Sequence, residues 1–127
     1  MGTLIDSSVL IEAERGRLDL AAKVGESPAE EYFLAAITAS EVLHGLYRAA
    51  TAEQKSRREA FVAEMLSHFE VLAFDLSTAR IHARVGAELR AAGVTVGAHD
   101  LMIAATAMVN DLQVATRDLR SFPRIPG

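Results

Sequence analysis

The 127-residue sequence contains no cysteine and no tryptophan, and only 6% of its residues are aromatic. The absence of cysteine excludes disulfides, thiol catalysis, iron–sulfur clusters and zinc sites built on thiolates. The five phenylalanines and two tyrosines are not interleaved with basic residues. We therefore expect no exposed aromatic platform on which nucleic-acid bases would stack.

Long hydrophobic runs are also absent, and we expect no signal peptide. The longest apolar run extends from Leu101 to Val109 and is interrupted by Thr106, so it falls far short of the ~20 residues that a membrane helix needs. Residues 1–6 have neither the basic start nor the long apolar run of a signal peptide. We expect a soluble, cytoplasmic protein with no membrane partner.

Basic residues are in deficit, with 13 Lys and Arg against 17 Asp and Glu and a net charge of −4. This balance argues against a general nucleic-acid-coating role, which usually shows as a basic domain. It does not exclude a nuclease, because acids around a metal ion count as negative until the metal is added. The length and the 50% apolar content suit one globular domain over residues 1–127.

Short apolar runs alternate with helical patterns along the chain. The predicted strands cover residues 3–5, 32–37, 71–74 and 113–115. The predicted helices cover about 9–15, 18–24, 39–50, 61–69, 78–92 and 100–109, with Gly16 and Gly93 as stop signals. The stripe of Phe61, Met65 and Phe69 at helical spacing is predicted to be core or dimer interface. Strands that alternate with helices indicate a three-layer α/β/α fold with a short, mainly parallel sheet.

Four acids follow or open these elements. Asp6 comes directly after the first strand, Glu41 lies near the start of the helix after the second strand, Asp100 opens the apolar helix, and Asp118 follows the last strand. Loops that leave the carboxyl ends of parallel strands share one edge of the sheet, where ligands bind. We therefore expect these acids to converge.

Each acid also has a structural interpretation. Asp6 is a possible helix N-cap, and Thr38 with Glu41 has the spacing of a capping box. Asp100 suits the first turn of a helix, and Asp118 suits a turn. Four independent caps need not share one edge, however, so the set favours a site. If the acids converge, hard oxygen ligands without cysteine favour Mg²⁺ or Mn²⁺, whose chemistry suits phosphodiester cleavage.

The residues around these acids resemble the four motifs of the PIN-domain ribonucleases, and most of all the VapC-type toxins of bacterial toxin–antitoxin pairs. The matching segments are Leu4–Ile11 (LIDSSVLI), Ile37–Gly45 (ITASEVLHG), Asp100–Ala107 (DLMIAATA) and Ala115–Phe122 (ATRDLRSF). The resemblance covers essentially the whole chain in order, and the Asp100–Ala107 segment is its most specific part.

The resemblance implies a single PIN domain over residues 1–127 and a Mg²⁺- or Mn²⁺-dependent endoribonuclease acting on structured RNA such as tRNA or rRNA. Asp6 and Asp100 would be the principal metal ligands, Glu41 would complete the site, and Asp118 would take the fourth, most variable position. Ser7 occupies a place where threonine is common, and its hydroxyl could bond a neighbouring carboxylate. The family also implies a homodimer and a VapB-type antitoxin as partner.

Basic and histidine residues near the motifs have two interpretations each. Arg117, Arg120 and Arg124 crowd the last motif, and Arg15 and Arg17 follow the first. They would contact phosphate in one interpretation and form a solvated surface strip in the other. His99 precedes Asp100 and would either approach the leaving group or lie on the surface.

Other functions find less support in the sequence. A phosphorelay receiver or a haloacid-dehalogenase-type phosphatase needs a second acid beside the first, which Asp6-Ser7-Ser8 lacks. No glycine-rich nucleotide loop is present, so we expect no cofactor besides the metal. The alternative from a different class is a non-catalytic PIN-fold module that binds RNA or protein, although all four acidic positions are intact.

Overall fold

A computed structural model describes residues 2–16, 18–26 and 29–116 of the chain. The four strands are β1 (Gly2–Ile5), β2 (Glu31–Ala35), β3 (Glu70–Leu72) and β4 (Gln113–Ala115). The six helices are α1 (Ser7–Glu14), α2 (Leu20–Gly25), α3 (Ala36–Tyr47), α4 (Ala52–His68), α5 (Leu76–Ala91) and α6 (Ala98–Val109).

The strands form one sheet in the order β3-β2-β1-β4, and each neighbouring pair is parallel. β1 is therefore central, with Leu4 paired to Phe33 on one side and to Val114 on the other. This arrangement confirms the predicted α/β class and the parallel sheet. It also places the carboxyl ends of all four strands at one edge.

Most of the predicted elements are present, and their ends show where the sequence signals succeed. Gly16 and Gly93 follow α1 and α5 with φ angles of 76° and 72°, a conformation that side chains with a Cβ rarely adopt. The predicted second strand was too long. It ends at Ala35, and α3 begins at Ala36, because an apolar run that passes from a buried strand into a buried helix shows no change in periodicity.

Both faces of the sheet are covered by apolar side chains. On one face, Ile5 and Leu34 pack with Leu10 of α1 and Met65 of α4. On the other face, Leu4 and Ala35 pack with Ile103 and Ala107 of α6. Successive residues of a strand point to opposite faces, so a strand buried on both sides has no polar alternation. That is why the central strand β1, whose four residues are all buried, shows no polar alternation.

The helical stripe of Phe61, Met65 and Phe69 belongs to this core. Met65 is buried in the cluster around Leu10, and Phe61 and Phe69 pack against it. Of the two interpretations given to the stripe, the structure supports core. Along the described part of the chain, none of the helices combines the length and the apolar character needed to cross a membrane.

Candidate metal and nuclease site

Three of the four predicted acids lie at the carboxyl edge of the sheet or on the helices that start there. Asp6 links β1 to α1, Glu41 lies on α3 directly after β2, and Asp100 lies in the first turn of α6. Asp118, with Arg117, Arg120 and Arg124, lies outside the described residues. The three placed acids come from segments separated by long stretches of sequence, so the sheet topology is what brings these segments to one region.

Asp6 stands at the N-cap position of α1, but its carboxylate does not cap the helix. Its Oδ2 atom instead accepts hydrogen bonds from the hydroxyls of Ser8 at 2.7 Å and Thr116 at 2.8 Å. The residue is only 2% exposed, and its Oδ1 atom is buried with no hydrogen-bond partner within the described residues. A buried carboxylate oxygen without a donor is costly, so this oxygen needs a cation or another donor.

Glu41 lies in the second turn of α3, which excludes the alternative interpretation of Thr38 and Glu41 as a capping box. Helix α3 starts three residues earlier than predicted, its N-cap is Ala35, and Thr38 is a fully buried residue inside the helix. A threonine inside the helix cannot cap its start. Glu41 therefore has no backbone role at the helix terminus, and its carboxylate is available for other contacts.

The carboxylate of Glu41 contacts a residue next to each of the other two placed acids, Asp6 and Asp100. Its Oε2 atom accepts a hydrogen bond from the Ser7 hydroxyl at 3.2 Å and lies 3.5 Å from Nδ1 of His99. Ser7 is the neighbour of Asp6, and His99 is the neighbour of Asp100. The other oxygen of Glu41, Oε1, is buried and has no hydrogen-bond partner among the residues described.

Asp100 is held close to the start of its helix. A Cβ atom placed on Gly97, the N-cap of α6, would lie 3.4 Å from Oδ2 of Asp100, at the lower limit of ordinary van der Waals contact. The carboxylate of Asp100 therefore lies beside the N-terminus of α6, where the helix dipole favours negative charge. The dipole interpretation of Asp100 is consistent with this position, as is a ligand role.

The chemistry of the donors fits a hard divalent cation, although the ligand set is not complete within the described chain. Among those residues, no three His, Asp or Glu side chains lie close enough together to hold one ion. Near the carboxyl edge of the sheet, two buried carboxylate oxygens nevertheless make no hydrogen bond within the described residues, Asp6 Oδ1 and Glu41 Oε1. Carboxylate oxygens with water in the remaining positions are the usual ligands of Mg²⁺.

Two features of the site were not predicted from the sequence. Ser8 and Thr116 orient Asp6, and the signal for Thr116 was its place two residues before Asp118. The second feature is a cleft of about 350 Å³ between α1, α3 and α4 that begins at Ser7 and Glu41. Its far end contains Arg48 and Arg58, neither of which stands in a motif.

Comparisons with known proteins agree with this fold and these segments. A family model described as PIN domain matches residues 3–127. Ribonuclease VapC of Rickettsia bellii is 30% identical over 126 residues, which cover 99% of this chain and 92% of that protein. The tRNA(fMet)-specific endonuclease VapC of Salmonella typhimurium is 37% identical over 94 residues, which cover 74% of this chain and 69% of that protein.

The fold is similar to solved structures of the same group. A chain in the crystal structure of DNA-bound VapBC from Salmonella typhimurium matches with a TM-score of 0.89 at 28% identity, covering 100% of this chain and 94% of that chain. The family match spans nearly the whole sequence, and the fold similarity is complete over the same length. The chain therefore belongs to the PIN-domain family, and within it to the VapC type.

Proposed function

We propose that this chain is a Mg²⁺- or Mn²⁺-dependent endoribonuclease that cleaves structured RNA, tRNA or rRNA, in the cytoplasm, and that it acts as the toxin of a toxin–antitoxin pair. The observation that carries the proposal is that two buried carboxylate oxygens near the carboxyl edge of the sheet, Asp6 Oδ1 and Glu41 Oε1, make no hydrogen bond within the described residues. A cation would compensate both.

Asp6, Glu41 and Asp100 would hold the metal, with Asp118 as a fourth acid. When bound, Mg²⁺ or Mn²⁺ supplies an activated water and neutralises charge on the phosphate. The hydroxyls of Ser8 and Thr116 fix one oxygen of Asp6, and the Ser7 hydroxyl fixes one oxygen of Glu41. Each carboxylate thus has one oxygen tied to the protein and one left for a ligand, which is the arrangement that orients metal ligands in proteins.

The names of the relatives support the substrate class and the partner. One relative is a tRNA(fMet)-specific endonuclease, and two others are ribonucleases. Several similar structures are complexes named VapBC. By analogy, a VapB-type antitoxin would bind this chain, and expression of the chain alone would arrest growth that co-expression of the antitoxin restores.

The test is incubation of the purified chain, free of partner, with total bacterial RNA and Mg²⁺ or Mn²⁺. We expect discrete cleavage products that disappear with EDTA and in Asp100→Asn. The matched control is Asp111→Asn, because Asp111 is an exposed acid in the turn between α6 and β4. Its backbone has a positive φ of 54°, which asparagine tolerates. Cleavage by Asp100→Asn at the wild-type rate would contradict the site assignment.

The alternative is a PIN-fold module that binds RNA or protein without cleaving it. Calorimetric titration with Mn²⁺ separates the two, because the enzyme requires a metal site and the module does not. Uncut RNA together with no Mn²⁺ binding by the wild type would favour the module. Mn²⁺ binding that is lost in Asp100→Asn would favour the enzyme.

We also propose that two copies associate through an apolar surface on α3 and the edge strand β3. Leu43, Tyr47 and Val71 are 36%, 78% and 38% exposed and line one shallow groove. Exposed apolar side chains gathered in one patch are typical of protein–protein contacts. Light scattering should give the mass of a dimer for the wild type and of a monomer for Tyr47→Glu. A wild-type monomer would contradict this interface.

A further inference from the structure

A cleft leads away from the acidic site, and its lining changes from acidic at the site to basic at the other end. It lies between α1, α3 and α4. Ser7 and Glu41 line the end at the site, and Arg15, Arg48 and Arg58 line the cleft as well. Both α1 and α3 start at the carboxyl edge of the sheet, so later residues on each helix lie farther from the acids.

The helical rise sets the distance between the two ends. Arg15 follows Ser7 by eight residues, and Arg48 follows Glu41 by seven. At 1.5 Å per residue, both arginines lie about 10–12 Å along the helix axis from the acidic end. The sequence alone does not show that α4 adds Arg58 at the same place.

The guanidinium of Arg58 is fixed by contacts inside the cleft. Its Nη1 atom donates to the carbonyl oxygen of Gly45 at 2.7 Å, and its Nε atom lies 3.8 Å from Oε1 of Glu14. Arg57 contacts the same carboxylate oxygen at 3.6 Å. Glu14 Oε1 is buried and makes no hydrogen bond within the described chain, so its charge is offset by these two ion pairs.

Arg15 and Arg48 are both exposed, and no ion pair to either is found within the described residues. The three arginines outnumber the single glutamate at this end, in a protein whose net charge is −4. Guanidinium groups bind phosphate with paired hydrogen bonds. This end of the cleft is therefore a place where an anion is favoured, whereas the other end needs a cation.

We infer that the cleft is a substrate subsite in which Arg15, Arg48 and Arg58 bind a second phosphate of the RNA strand, farther along the strand than the phosphate held at the acids. The inference rests on the proposed ribonuclease function and adds the path of the strand. An RNA strand is favoured over an acidic peptide because the cleft is continuous with the acidic end. An RNA strand carries regularly spaced phosphates, so one phosphate can bind at the metal and another at the arginines. An acidic peptide would place its carboxylates next to the carboxylate of Glu41, which would repel them.

The test is binding of a short fluorescein-labelled oligouridylate, followed by anisotropy between about 50 and 200 mM KCl at a fixed Mg²⁺ concentration. The protein carries Asp100→Asn, so that the probe is not cut; because this variant is expected to lose the metal, the salt dependence reports the arginine end of the cleft. Arg15→Gln and Arg48→Gln are made singly and together in this background. Arg58 is left unchanged, because its bond to Gly45 links α4 to α3. The matched control is Arg90→Gln, since Arg90 is an exposed arginine in the last turn of α5.

Each cleft variant should weaken binding by roughly fivefold, which is about 1 kcal/mol. Each should also reduce the slope of log affinity against log salt by about 0.7, the value for one phosphate contact on a single strand. The double variant should show about twice that reduction in slope. Arg90→Gln should leave both unchanged. A purely structural role of the arginines would lower the melting temperature without changing the salt slope.

An unchanged slope in the double variant would overturn the inference. So would a double variant that binds the probe normally but no longer co-purifies with a co-expressed antitoxin, because the cleft would then be a protein-docking surface. Failure of the proposed function is distinguishable from both results. It would appear as uncut RNA with the wild-type chain, whereas the salt slope is measured without any cleavage.

Discussion

Asp6 and Asp75 each precede a helix that follows a strand of the parallel sheet, Asp6 between β1 and α1 and Asp75 between β3 and α5. Asp75 caps its helix, because its Oδ1 atom accepts hydrogen bonds from the backbone nitrogen of Thr78 at 3.0 Å and from the Thr78 hydroxyl at 2.9 Å. Asp6 makes no such cap and accepts instead from Ser8 and Thr116.

The two aspartates also differ in burial. Asp75 is exposed, and its hydrogen bonds with Thr78 hold the pKa of its carboxyl below the ordinary value. Asp6 is 2% exposed and keeps a buried oxygen that has no partner in the described chain. A cap satisfies its carboxylate locally and stabilises the fold. A carboxylate that is buried and only partly satisfied costs stability, and this cost is the reason for proposing that Asp6 holds a ligand.

Of the substitutions that distinguish Asp6 from Asp75, Asp6→Asn should have the largest effect on RNA cleavage. We expect RNA cleavage to fall by on the order of 100-fold or more, because loss even of groups that only orient metal ligands costs about 10–100-fold. In EDTA the melting temperature should stay the same or rise, since an uncompensated buried charge is removed. Stabilisation by added Mn²⁺ should vanish. Cleavage close to the wild-type rate would put Asp6 in the same class as Asp75.

A smaller effect is expected from Ser7→Ala, which removes the hydroxyl that donates to Glu41. Cleavage should fall by roughly tenfold, because Glu41 keeps its charge but loses its orientation. Ser7→Thr retains the hydroxyl and should restore most of the activity. The measurement is the rate of product formation at saturating Mn²⁺. Equal rates for alanine and threonine at this position would show that the hydrogen bond does not matter.

The comparison also shows what the sequence could and could not predict. The parallel sheet was predictable because apolar runs and helical periods alternate along the chain. The edge location of Asp6 followed from that topology. Its lack of a capping bond did not, because one of its donors, Thr116, is separated from it by 110 residues. Asp6 and Asp75 both lie between a strand and a helix, and the bond from Thr116 that distinguishes Asp6 joins residues far apart in the sequence.

Two other features depended on tertiary packing in the same way. The start of α3 at Ala36 could not be located, since Ala36 and Ile37 continue the apolar run of β2. The arginine end of the cleft arises where α4 packs on α3 and brings Arg58 to the carbonyl of Gly45. No pattern in the sequence predicts that contact.

Asp75→Ala should have a modest effect on stability and none on chemistry. The change removes both hydrogen bonds to Thr78, so the melting temperature should fall by a few degrees. Cleavage measured well below the melting temperature should remain within about twofold, because the carboxylate only caps α5. Asp75→Asn, which keeps an acceptor oxygen, should lie between the two in stability. A loss of cleavage in a folded Asp75→Ala variant would mean that this acid also belongs to the site.

The smallest effect is the pH dependence of the cap. The folded pKa of Asp75 is lowered, so the charged form is favoured in the folded state and the unfolded state binds more protons at acid pH. The stabilisation is complete above the unfolded pKa of about 3.9 and is lost as the pH falls through the lower folded value. Denaturant unfolding should therefore give a difference in the free energy of unfolding between wild type and Asp75→Ala at neutral pH. This difference should become smaller as the pH is lowered. A difference that stays constant down to the lowest pH would mean that the Asp75 carboxylate does not stabilise α5 through its charge.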